Sequence, residues 1–174
     1  MEIGLKMDHL SVEYFGKCIH DIVSISDAIL DGWVMKIKND SENGKYIVKK
    51  QTTLLKAPED ASEVPVTFEY HVAYNISYGV PVLCFNIWQP DGSLLTLEGY
   101  WKSNMAFGDS NMYETLTQMD HPVLCKPFLS LHPCKTQEIL QTFLATSKNP
   151  VISWLTVVGP FVSLNLLEEY VKHC

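Results

Sequence analysis

Signatures of phosphate binding and of zinc peptidases are missing from this chain. None of G-x-x-x-x-G-K-S/T, G-x-G-x-x-G or H-E-x-x-H occurs, so nucleotide and zinc-peptidase chemistry have no support. Basic residues are few, 13 against 20 acidic ones, for a formal charge of −7. That sign argues against a nucleic-acid groove or an anionic membrane surface and fits a basic protein partner better. The N-terminus has no basic region leading into an apolar run and a cleavage site. The five cysteines, Cys18, Cys84, Cys125, Cys134 and Cys174, are odd in number and irregular in spacing, which excludes a disulfide framework. A reduced, cytoplasmic protein is expected. Residues 150–167 form one charge-free stretch of eighteen, the lower limit for a membrane span. Gly159-Pro160 interrupts it and Ser153, Thr156, Ser163 and Asn165 dilute it, so a buried core segment is expected, with no stable membrane insertion. There is no repeat, no low-complexity tract and no internal boundary.

What is present is a chain of 174 residues, 47% hydrophobic and 11% aromatic, enough for one domain over 1–174 with its own core. From about residue 7 to 25, Leu10, Tyr14, Phe15, Cys18, Ile19 and Ile22 fall at helical spacing. From Trp33 the period changes to two, and strands are predicted at 33–38 and 46–55, joined by a polar turn. Residues 58–65 read as a surface loop, and residues 66–74 as the clearest strand, with Val66, Phe68, Tyr70, Val72 and Tyr74 alternating with polar or small neighbours. The next strand, residues 80–88, is apolar on both faces and therefore central. Four strands with short connections predict an antiparallel meander half covered by helices, an α+β arrangement. After the Pro90-Asp91-Gly92 turn, Thr96 can cap a short helix, residues 103–112 read as an irregular loop, and short strands follow at 114–118 and 127–131. Thr136 is a candidate cap for the next helix, Asn149-Pro150 starts another, and a last helix is expected around 166–172.

The stretch that carries chemistry is Leu131-His132-Pro133-Cys134-Lys135-Thr136, where an apolar run stops and presents a thiol beside a lysine. A thiol attacks only as its thiolate, which a neighbouring lysine and a helix N-terminus both favour. Residue chemistry alone leaves several readings open: a thioester-forming nucleophile, an incidental cysteine in a non-catalytic interaction domain, or a zinc site drawn from His121, Cys125, His132 and Cys134. That set departs from paired knuckle spacing. A cysteine protease would need His71 or His121 beside Cys134, because His132 is badly placed for proton abstraction. Asp91, Asp109 and Asp120 read as turn residues, which leaves paired-carboxylate hydrolysis unsupported.

Several stretches together resemble the E2-like conjugating enzymes of autophagy. They are Glu69-Tyr70-His71-Val72, Ser77-Tyr78-Gly79-Val80-Pro81-Val82-Leu83, Leu95-Thr96-Leu97 with Trp101, and His121-Pro122-Val123-Leu124 leading to His132-Pro133-Cys134-Lys135-Thr136. Ser153-Trp154-Leu155, Val158-Gly159-Pro160 and Leu164-Asn165-Leu166 complete the set, in order, over roughly half the chain. The resemblance implies an E2-like core, a four-stranded antiparallel sheet flanked by helices, with extra short strands before the active cysteine. It implies that Cys134 receives the C-terminus of a ubiquitin-like modifier, autophagy-related twelve, from an E1-like enzyme, autophagy-related seven. The modifier would then pass to a lysine of autophagy-related five, with no cofactor or metal on this chain. Ubiquitin enzymes keep an asparagine after His-Pro, where this chain has the cysteine itself, so another donor must hold the oxyanion. His132 and Tyr78 are the candidates.

Overall fold

The computed structural model describes residues 9–39, 42–57, 59, 62–104, 115–132 and 134–174, with Glu42 and Cys134 described through their backbones alone. Helix α1 (Val12–Ile29) begins where Ser11 accepts the Tyr14 amide, and buries Phe15, Cys18, Ile19, Ile22 and Ser26 along one stripe. It starts later and ends later than the expected 7–25, because no breaker precedes the left-handed Leu30 and Gly32.

Strands β1 (Val34–Ile37), β2 (Lys45–Lys56), β3 (Glu63–Asn75) and β4 (Val80–Trp88) form the expected antiparallel meander. A short 3-10 turn (Glu42–Gly44) precedes β2. β3 extends back through Pro65 into the expected loop. Pro65 lies beyond the Thr67–Trp88 pair where β4 stops, on a side of β3 with no neighbour, so its missing N–H costs nothing. Helix α2 (Leu97–Ser103) is capped by Thr96, as expected. The loop expected at 103–112 lies outside the described residues from 105 onward.

The expected four-stranded sheet is corrected by β5 (Leu116–Asp120) and β6 (Pro127–Leu131). They form a hairpin that joins β4 through Cys84–Ser130 and Phe85–Leu129, making one six-stranded antiparallel sheet ordered β1-β2-β3-β4-β6-β5. The alternation within each short strand does not state which edge it joins, which is why they read as extras. Helix α3 (Cys134–Leu144) opens on Cys134 itself; Thr136 is buried inside its first turn and is not the cap.

Helix α4 (Pro150–Val158) is capped by Asn149, whose side-chain oxygen accepts from Ile152 at 3.1 Å while its nitrogen donates to the Cys18 carbonyl at 3.0 Å, tying α4 to α1. A 3-10 turn (Gly159–Val162) follows, and a Cβ at Gly159 would collide with the Leu164 carbonyl oxygen, so only glycine fits. Among the described residues no helix is long and apolar enough to cross a membrane. α5 (Glu168–Val171) is shorter than expected and docks by Tyr170, whose hydroxyl donates to Asp31 at 2.8 Å.

The pleat sends Phe68, Tyr70, Val72, Leu83, Phe85 and Ile87 to the helical side, where they join Phe15, Ile22, Trp154 and Leu155 in the main core. The opposite side holds a second, smaller cluster of Tyr46, Ala73, Val82, Cys84, Val123 and Phe128, roofed by residues 121–126.

Candidate active site

β6 runs antiparallel to β4, so continuing its register past Leu131 carries the chain toward the Val80 end of β4. That end of the sheet also carries the β3–β4 turn. There Asn75 accepts the Tyr78 amide at 3.2 Å and the Gly79 amide donates to the Asn75 carbonyl at 2.8 Å, with Gly79 at φ +65°. Tyr78 is exposed on this turn. His132 is half-buried and its amide donates to the Thr115 carbonyl at 3.0 Å, which fixes the step out of the hairpin. Two residues later α3 begins, with its first-turn amides unpaired within the helix and its positive dipole end at Cys134. Tyr78, His132 and Cys134 therefore lie at one end of the sheet, brought there from positions far apart in sequence.

The other cysteines are placed differently. Burial pushes the Cys18 thiol up to about 12, and the Cys84 thiol to about 12 even though Ser130 bonds to it, so both are inert at neutral pH. Cys125, at φ +53° in the β5–β6 turn, and Cys174, at the last position, are exposed.

The model of the family described as autophagocytosis associated protein, active-site domain, matches residues 14–169. The chain belongs to this family. Over 125 residues it is 43% identical to the human protein named ubiquitin-like-conjugating enzyme ATG10, a match covering 64% of this chain and 55% of that protein. It is 28% identical over 127 residues to the Dictyostelium discoideum protein of the same name, covering 62% and 55% respectively. Against the one from Arabidopsis thaliana it is 30% identical over 112 residues, covering 57% and 50%. The chain spans about half the length of these relatives. A crystal structure described as that of an autophagic E2, ATG10, superposes with a TM-score of 0.58 at 15% identity, covering 86% of this chain and 94% of that one. At that identity the likeness establishes the fold, which is E2-like.

Within this family fold, the sheet's second side holds a polar network that sequence reasoning missed as a unit. His121, fully buried, accepts the Val123 and Leu124 amides on Nδ1, both at 3.1 Å. Its proton therefore sits on Nε2 and is donated to His71 Nδ1 at 3.1 Å. His71 in turn donates from Nε2 to Glu69 Oε1 at 3.0 Å. Glu69 Oε2 accepts from Trp88 Nε1 at 3.2 Å and pairs with Lys50 at 3.3 Å. Tyr46 and Phe128 pack against both imidazoles, Phe128 at 4.8 and 5.2 Å between ring centres.

The protonation of each group follows from this geometry. Burial, with the neighbouring His71 and Lys38, pulls His121 down to about 3. Burial also lowers His71, although Glu69 works against it. Burial would raise the Glu69 carboxyl, but the His71 bond and Lys50 outweigh it and hold it below its usual range. Both ring nitrogens of His121 are engaged, which removes it from the zinc set, and both imidazoles are spoken for as bases for Cys134. Among the described residues no group of three or more His, Cys, Asp and Glu converges as a metal site. The available signal was His71 and Ala73 among the polar or small positions of β3, where a solvated face would carry longer charged residues.

Proposed function

We propose that the chain is an E2-type conjugating enzyme whose nucleophile is Cys134. The carrying observation is that Cys134 opens an eleven-residue helix directly after β6, in a chain whose residues 14–169 match an active-site domain. The helix dipole and the adjacent Lys135 favour the thiolate there. That thiolate attacks the carbonyl carbon of a modifier thioester on an E1-like enzyme; the new C–S bond forms as the E1 sulfur leaves. A lysine amine then attacks the Cys134 thioester, forming a C–N bond, expelling the Cys134 thiolate and losing its proton to solvent. The modifier in this reading is autophagy-related twelve, the E1-like enzyme autophagy-related seven and the target autophagy-related five, as the resemblance of the His132-Pro133-Cys134-Lys135-Thr136 stretch to the autophagy conjugating enzymes implies.

The second step develops charge on the carbonyl oxygen, so a preorganised donor matters more than a strong base. His132 and Tyr78 are assigned as oxyanion or lysine-positioning donors, supported by their position at the Cys134 end of the sheet. The chain is incubated with E1-like enzyme, ATP and modifier and resolved on a gel without reductant. A reductant-sensitive adduct is expected, absent in Cys134→Ala and converted to a reductant-resistant ester in Cys134→Ser. No adduct with the unmodified chain overturns the reading in favour of a non-catalytic interaction domain. Unchanged discharge in both His132→Ala and Tyr78→Phe removes the donor assignments.

A further inference from the structure

The hairpin that delivers Cys134 is held to the sheet by little backbone. β6 meets β4 through two register pairs, Cys84–Ser130 and Phe85–Leu129. Beyond these it rests on Phe128, packed against the rings of His71 and His121, and on residues 121–126, whose Val123 and Leu124 amides end on His121 Nδ1. Lys38 adds one bond to the Val123 carbonyl at 3.0 Å. We propose that the His71–His121 pair is a positioning device for the Cys134 segment, clamping residues 121–126 and β6 onto the sheet when neutral and releasing them when protonated.

Every route for an added proton ends at the same bond. A proton on His121 Nδ1 faces two amide donors directly. One on His71 Nδ1 obliges His121 to accept at Nε2 and carry its own proton on Nδ1, against the same two amides. The groups facing the pair are Glu69 on β3, Lys50 and Tyr46 on β2, Cys84 on β4, and Lys38 after β1; Asp120 and Lys126 flank the turn and are exposed. Among the described residues Glu69 is the one carboxylate in contact, and it already accepts from His71, Trp88 and Lys50, so it offers His121 no counter-charge. Burial, holding His121 neutral down to about 3, agrees with this arrangement.

The clamp stands on its own geometry; its consequence for transfer rests on the reading of Cys134 as nucleophile. Amide exchange of the full chain, corrected for intrinsic rates, is followed by NMR at about pH 7.5 and about pH 5.5. The opening constant of Val123 and Leu124 is expected to exceed that of Leu155 in α4, and to rise about tenfold at the lower pH from His121 alone. His121→Asn keeps an acceptor for the turn amides without a titrating group and is expected to take that tenfold out of the rise, whereas His71→Gln removes only the other site and is expected to leave the His121 share in place. The clamp is overturned if the turn opens only together with Leu155, if its opening is independent of pH, or if both variants keep the dependence. Thioester charging is measured on the same samples. Its absence at every pH sinks the Cys134 reading, while the amide data still decide the clamp.

Discussion

The two sides of the sheet are built from the same strands and held by different physics. On one side helices α1 to α5 all contribute to a continuous aromatic and aliphatic core, in which Phe68 lies 5.2 Å from Tyr70 and Phe85 lies 5.6 Å from Tyr100 between ring centres. On the other, six residues, 121–126, roof a small cluster whose centre is two imidazoles and a carboxylate. Non-directional burial on the first side is insensitive to pH and tolerant of small shifts. Directional bonds on the second require particular protons in particular places. The first side is therefore a scaffold and the second a fastening, and the segment leading to Cys134 leaves the sheet from the fastened half.

The sharpest break of this contrast comes from the helical side. Phe85→Ala removes a fully buried ring from the middle of the core, and a loss of about 4 kcal/mol is expected in chemical denaturation. Next is Lys49, whose ammonium lies 2.6 Å from Asp31, with both side chains under a tenth exposed. Lys49→Met strands the Asp31 charge with Tyr170 as its remaining side-chain donor among the described residues, for an expected loss of about 3 kcal/mol. Adding Asp31→Asn should return more than half of that, since the amide oxygen still accepts from Tyr170.

On the fastened side the effects are smaller and carry a pH signature. His121→Ala leaves the Val123 and Leu124 amides without their acceptor, and about 2 kcal/mol is expected. In the unmodified chain His121 is held neutral to about 3, while the unfolded chain takes up its proton near the ordinary 6.5. The folded state is thus fully favoured above pH 6.5 and loses ground as pH falls toward 3, by about 1.4 kcal/mol per pH unit. His71, also lowered, acts in the same sense. Glu69 adds the same direction only below its ordinary 4.5, so the part of the slope between pH 6.5 and 4.5 that is lost in His121→Asn isolates the His121 contribution, and the remainder belongs to His71. A denaturation series across that range checks it.

Much of this organisation was legible in the residues, and the gaps have identifiable causes. The meander followed from period-two alternation, and the double apolar face of β4 correctly marked it as a central strand, flanked by β3 and β6. Asn149-Pro150 and Thr96 announced their helices because a cap is a local device. Thr136 misled for the complementary reason: a threonine near a helix start reads as a cap, yet α3 begins two residues earlier and buries it. The joining of β5–β6 to β4 rests on two register pairs with no local signature. Cys134 stood out through its motif, whereas the His71–His121 pair, fifty residues apart, exists only once β3 and the β5–β6 turn meet.

The smallest expected effect is the cleanest test of the contrast. Lys49 and Lys50 are adjacent and chemically identical, and the pleat sends them to opposite sides of β2. Lys50 reaches Glu69 at 3.3 Å with its side chain about 65% exposed, so solvent screens the pair and holding it costs side-chain entropy. Glu69 loses little when Lys50 goes, because His71 and Trp88 still donate to it. Lys50→Gln should therefore change stability by less than about 0.5 kcal/mol, and less still at high salt. A loss comparable to that of Lys49→Met would mean that the Glu69 network depends on a full set of charges, and the distinction between a scaffold side and a fastened side would have to be redrawn around electrostatics on both.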